Sequence, residues 1–147
     1  MGDAIITNKQ NIAISILTAD CAPIFIIDKK QKFVGAIHAG WKGAFKGIVK
    51  KTIQLLKKNG CSEQDMIACI GPCIKKNSYE VKNDFFKLFK NKNKKNTKFF
   101  NFRKKKIFFD LSGYIKSQFY ASYLLIHVQF QNPFVYITSF ASYFLQL

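Results

Sequence analysis

Apolar positions in this 147-residue chain fall first into short runs of strand length and later recur with the three-to-four-residue period of a helix. Residues 4–7 and 12–18 are short β-branched runs, and each predicts a strand. A third apolar run, 24–27, follows Pro23, and a fourth spans 33–37. The polar stretch Asp28-Lys29-Lys30-Gln31 separates these two runs, which predicts a β-hairpin. Between Gly43 and Asn59, the residues Ile48, Val49, Thr52, Ile53, Leu55 and Leu56 repeat at helical spacing, with lysines mainly opposite. That pattern predicts one amphipathic helix stopped by Gly60. A turn at 62–65 and a strand at 66–70 follow, and Gly71-Pro72 ends the strand. Phe85, Phe86, Leu88 and Phe89 predict a second helix, and Asp110 is placed to N-cap a third that runs to Gln118. The Lys- and Asn-rich stretch 90–106 reads as an exposed loop. Strands alternating with helices predict a mixed α/β (α+β) fold.

The hairpin has a chemical consequence. In an antiparallel pair the start of one strand lies beside the end of the next. Cys21 precedes the first strand and His38 closes the second, so the two are expected at the same end. One Cys and one His there make half of a zinc site, since a catalytic zinc commonly has three protein ligands and one open position. The bland readings are a small buried thiol and a hydrogen-bonded histidine beside a tight turn, and local spacing alone favours them. The string His38-Ala39-Gly40-Trp41-Lys42-Gly43 is a strand–loop–helix junction. Its glycines permit close backbone approach, and a helix N-terminus with Lys42 beside it suits an anion.

Four strings carry a family resemblance: Leu17-Thr18-Ala19-Asp20-Cys21-Ala22-Pro23, His38-Ala39-Gly40-Trp41-Lys42-Gly43, Ile70-Gly71-Pro72-Cys73-Ile74 and Tyr79-Glu80-Val81. In this order and spacing the chain resembles the laccase-domain family, first called multicopper polyphenol oxidase-like. That family is described as zinc-dependent purine nucleoside phosphorylases with adenosine deaminase activity, and in some bacteria as peptidoglycan editing factors. The resemblance runs from about Gly2 to Gln118. It implies a layered α/β/β/α sandwich, here incomplete, with residues 1–118 as a partial laccase-like domain and 119–147 as a non-matching apolar tail. It implies that Cys21 and His38 ligate zinc. Asp20 and Lys42 become the candidate catalytic residues, and Gly40, Trp41, Gly71 and Pro72 the candidate substrate-binding residues. The implied partners are a purine nucleoside and phosphate. Zinc is implied rather than copper, because two such ligands do not make a multicopper centre. The family's third zinc ligand is a His in a Gln-Val-His string upstream of the segment matching residues 4–8, and its later Cys-Thr-Tyr-like and Tyr-Arg-Arg-like strings have no counterpart here. The chain is therefore expected to be truncated at both ends; activity then needs a third ligand from elsewhere, and a separately encoded N-terminal fragment bearing the missing histidine is a partner that would supply it. The alternatives are a non-catalytic remnant of a decaying gene and a peptidoglycan-precursor editing enzyme.

Composition changes this picture little. Sixteen Phe and a 48% hydrophobic content suffice for a core and exclude a disordered chain. The net charge of +16 favours any polyanion. Eleven Lys or Arg fall between Lys82 and Lys106, yet a solvated surface explains them without a specific nucleic-acid partner. Residues 119–147 carry no formal charge and read as a shifted reading frame, buried strands or a membrane segment. The frame shift is preferred, and the polar Gln129-Gln131-Asn132-Pro133 cluster argues against a spanning helix. No secretory signal is evident, so Cys21, Cys61, Cys69 and Cys73 are expected as thiols in a reduced, cytoplasmic setting. For Cys61, Cys69 and Cys73, core packing and loop placement are the expected roles. His127 reads as an ordinary histidine in an apolar stretch.

Overall fold

The computed structural model describes residues 3–30 and 32–120, together with the backbone of a strand at Leu125–Val128. The elements run β1 (Ala4–Thr7), β2 (Ala22–Asp28), β3 (Val34–Ala39), α1 (Trp41–Phe45), α2 (Ile48–Lys58), β4 (Met66–Ile70), β5 (Glu80–Val81), α3 (Asn83–Lys92), β6 (Phe100–Arg103), β7 (Lys106–Phe109), α4 (Leu111–Tyr120) and β8 (Leu125–Val128). Five strands form a mixed sheet in the order β1-β3-β2-β4-β8, in which β8 alone runs parallel to its neighbour. A smaller antiparallel sheet has the order β5-β7-β6. Helices and strands are mixed as the hydrophobic pattern requires. No helix among the described residues is long and apolar enough to cross a membrane.

Strand alternation decides where the core sits. Ala22, Ile24 and Ile26 on β2, Ile37 and Ala39 on β3, and Ala68 and Ile70 on β4 are fully buried. They pack with Val49, Ile53 and Leu56 of α2 and with Ile115 and Phe119 of α4. Between them on β2, Pro23 and Ile27 are half-buried and Phe25 is exposed, as the period of two demands. The hairpin turn is built around Asp28, which is buried although acidic. Its carboxylate accepts the backbone N–H groups of Lys30 and Lys32, each at 3.3 Å. A short acidic side chain bonding the backbone a few residues on is an intrinsic turn former.

Phenylalanine abundance acquires a reason here. Phe85 and Phe89 of α3 stack at 4.8 Å. Phe89 also meets Phe109 at 4.8 Å, Tyr114 at 5.0 Å and Phe45 at 4.9 Å. This aromatic cluster joins the small sheet to α1, α3 and α4. Asp110 N-caps α4 as expected, its Oδ1 accepting the Gly113 N–H at 2.8 Å. Cys61 and Cys69 are buried and Cys73 is half-buried, in keeping with packing roles.

Three expectations require correction. Residues 12–18 do not form a strand: they join no ladder among the described residues, and none of their side chains is buried, so the run packs no apolar face into the core. The helix expected over 43–59 is two helices, since Gly47 between them adopts a left-handed φ of 77°. The stretch 90–106 is not a loop. It contains the end of α3, a 3₁₀ turn at Lys94–Phe99, and the β6–β7 hairpin, which closes through left-handed Lys104 and Lys105. Phe100 and Phe102, two residues apart, supplied a strand signal that the surrounding lysines masked. Part of the tail also joins the main sheet, through β8. The other tail residues beyond Tyr120, and every side chain there including that of His127, lie outside the described residues.

Gly47 has open space around it, so an added methyl meets no neighbour and only the backbone conformation resists it. Gly47→Ala should therefore lower stability by about 1–2 kcal/mol, read from urea unfolding. A stabilised variant would show that α1 and α2 are free to merge.

Candidate metal centre and adjoining pocket

The candidate site grows out of the β2–β3 register. Ala22 pairs with Ala39 and Pro23 with His38, and Cys21 lies one residue beyond the last pair. Both candidate donors thus stand at one end of the hairpin. Cys21 is half-buried and the His38 side chain is 38% exposed, so each remains reachable. Gly40 lies directly against the thiol, where an added Cβ would fall 2.9 Å from Cys21 Sγ. A separation that short is a clash, so only glycine leaves the sulfur its place.

The local field opposes the chain's overall charge. Burial raises the Cys21 thiol above its ordinary pKa, and the carboxylates of Asp20 and Asp3 raise it further. The thiol is therefore protonated at neutral pH, and a cation binding there must displace its proton. The same two carboxylates favour a cation at this end of a molecule with net charge +16. Asp3 sits beside His38, with Oδ1 3.9 Å from Nδ1. Cys73 lies close enough for Cys21 to influence its thiol, which is pushed up to about 11, chiefly by burial and then by Asp110.

A thiol and an imidazole held together in an acidic surrounding are donors of the kind that zinc takes. Among the described residues, however, no group of three or more His, Cys, Asp or Glu side chains is placed to hold a metal ion. The described chain fits zinc as two of its donors, and a complete tetrahedral site needs another.

Beside Cys21 lies a pocket of about 130 Å³ lined by Asp20, Cys21, Trp41, Ile74, Tyr79 and Leu111. Its aromatic residues are braced from behind: Trp41 meets Phe85 edge-on at 4.9 Å, and Tyr79 meets Phe85 at 6.1 Å. The segment carrying Cys73 and Ile74 is tied down where the Ile74 N–H donates to the Asp20 carbonyl at 3.0 Å. Of the candidate residues, Asp20, Cys21 and Trp41 line this pocket, while His38 stands outside the lining beside Asp3. Lys42 is exposed, its Nζ 5.6 Å from the Trp41 ring centre. Because α1 has only five residues, its dipole adds little to an anion site, and the longer helix begins later at Ile48. Gly71 is buried against Pro23, to whose carbonyl its N–H donates at 2.8 Å, and Pro72 is exposed; neither lines the pocket. Ile74, Tyr79, Leu111 and Asp3 were not singled out from the sequence. Ile74 and Tyr79 lay within recognisable strings, whereas Asp3 becomes visible only once β1 is paired with β3.

Comparisons with known proteins agree with this architecture. A family model described as multi-copper polyphenol oxidoreductase laccase matches residues 1–132, beyond the Gln118 limit expected from the motifs. The chain is 43% identical over 109 residues to a purine nucleoside phosphorylase of Aquifex aeolicus, covering 74% of this chain and 48% of that one. It is 30% identical over 151 residues to a purine nucleoside phosphorylase of Rickettsia conorii, covering 98% of this chain and 62% of that one. Among solved structures, Bacillus licheniformis protein YfiH superposes with a TM-score of 0.77 at 25% identity, over 86% of this chain and 50% of that one. The chain thus spans about half the length of the relatives it matches.

The Gly40–Cys21 contact yields a test. Gly40→Ala should displace the thiol and abolish the thiolate-to-metal charge-transfer band of the cobalt-loaded protein. Gly43→Ala, whose added Cβ meets only ordinary contacts at 3.6 Å or more, should keep that band. Equal spectra from both variants would contradict the packing of Cys21 against Gly40.

Proposed function

Because the chain belongs to the multi-copper polyphenol oxidoreductase laccase family, we propose that it forms part of a zinc enzyme acting on purine nucleosides. Phosphorolysis is the principal reaction and adenosine deamination the second. The observation that carries this reading is the position of Cys21, which belongs both to the hairpin end bearing His38 and to the lining of the aromatic pocket. The substrate class and reaction come from the relatives' names, which are those of purine nucleoside phosphorylases. With about half the relatives' length present, the further metal donor comes from polypeptide outside the described residues.

Zinc, when bound, lowers the pKa of its water to about 7 and so supplies a nucleophilic oxygen near neutral pH. The chain's own residues do the rest. Trp41 and Tyr79 offer flat apolar surface to a purine ring, and Ile74 and Leu111 keep water from it. The Asp20 carboxylate accepts hydrogen bonds from ring or exocyclic N–H groups of the base. Exposed Lys42 holds phosphate by charge. In phosphorolysis a phosphate oxygen bonds to the ribose C1′ as the bond to the base nitrogen breaks, and the departing purine takes up a proton. In deamination a water oxygen bonds to C6 of adenine and ammonia leaves.

A second reading rests on the donor set: among the described residues no group of three or more His, Cys, Asp or Glu side chains is placed to hold a metal, which is what a non-catalytic remnant would show. Kinetics on the zinc-loaded protein separate the two readings and test the assignment of Lys42. Lys42→Ala should reduce phosphorolysis by roughly 10-fold or more, the scale of a lost charged hydrogen bond, and should change deamination much less. Equal losses in both reactions would count against Lys42 as the phosphate holder, and no turnover by the parent would favour the remnant.

A further inference from the structure

We propose that Asp3 is a positioning residue for His38: its carboxylate receives the Nδ1–H of the ring, leaving Nε2 as the nitrogen with the free lone pair. This rests on the reading of His38 as a metal donor and extends it to a residue outside the motif strings.

Asp3 immediately precedes β1, which pairs with β3 on the side away from β2. The β1–β3 register ends at Ala4 opposite Ile37, so the next position on each strand brings Asp3 beside His38. The backbone fixes that neighbourhood, because the His38 N–H donates to the Asp3 carbonyl at 2.8 Å. With the main chains joined, the two side chains stand beside each other at the same end of the sheet, and the Asp3 Oδ1 lies 3.9 Å from Nδ1. That gap exceeds a hydrogen bond. The Asp3 side chain is 65% exposed, however, so a small rotation in solvent closes it without disturbing the core.

The consequence follows from imidazole chemistry. A neutral ring has one N–H donor and one acceptor nitrogen, and a partner on one nitrogen decides which is which. A carboxylate at Nδ1 accepts a hydrogen bond there, so Nε2 is left to bind an electrophile. Carboxylate partners of this kind orient metal-binding histidines and raise their basicity. A direct ligand role for Asp3 is the competing possibility. The arrangement favours positioning, since the carboxylate, thiol and imidazole are not placed as a metal-holding trio.

The test uses the whole chain, which has only two histidines, so ring signals are readily assigned. In metal-free protein at alkaline pH, where imidazoles are neutral, long-range ¹H–¹⁵N correlation spectra should show His38 mainly as the Nδ1–H tautomer. Asp3→Ala should shift it away from that tautomer. Asp3→Asn keeps an acceptor oxygen and should retain it. In competition with a chromophoric chelator, Asp3→Ala should weaken zinc binding by roughly 10- to 100-fold, with most of the loss recovered in Asp3→Asn. An unchanged tautomer in Asp3→Ala would overturn the proposal. So would equal zinc loss in Ala and Asn variants with no tautomer change, which is how a ligand behaves. If no variant binds zinc, the tautomer result still decides the role of Asp3, and the failure falls on the zinc reading instead.

Discussion

The antiparallel register of β2 and β3 carries the candidate site. Seventeen positions separate Cys21 from His38 along the chain, and the pairing of Ala22 with Ala39 and Pro23 with His38 removes that separation. A slip of one residue would turn every side chain of the strand to the other face. The buried set Ile24, Ile26 and Ile37 would then leave the core, so the register that places the donors is the one that hydrophobic burial enforces. The Asp28 turn at the far end of the hairpin fixes the loop length and so reinforces it. Stability and site geometry are thus set by the same pairing.

A second constraint is electrostatic. The chain is strongly basic, yet the hairpin end carries Asp3 and Asp20, and both act on the Cys21 thiol. Exposed lysines are solvated and screened within about 10 Å at ordinary ionic strength, so nearby carboxylates dominate the field at a half-buried sulfur. The aromatic cluster has the complementary task. Phe85, itself stacked on Phe89, braces both Trp41 and Tyr79, and this keeps an apolar wall beside the acidic one.

Much of this was legible in the sequence, for reasons that differ by element. The hairpin showed because two apolar runs flank a polar turn, and β4 and the α4 cap showed because Gly71-Pro72 and Asp110 act locally. Tertiary arrangement decided what was missed. Residues 12–18 have the composition of a strand yet pair with none of the described strands, and composition does not report partners. Gly47 broke a helix whose apolar spacing continues across it, because the period is blind to one left-handed residue. The β6–β7 hairpin was hidden by lysines that face solvent. Within the site, Cys21, His38 and Trp41 were found through their strings. Tyr79 and Leu111 reach the pocket only through the packing of the small sheet and α4, and Asp3 only through the pairing of β1 with β3.

On the proposed reading Cys21 and His38 are two donors of one zinc site, in a chain that covers about half the length of its relatives. The most direct measurement is zinc content per chain of purified protein, beside Cys21→Ala and His38→Ala. Bound zinc in the parent that is lost in both variants alike is the expected result. Zinc retained in either variant would contradict a site built on the end of the β2–β3 hairpin.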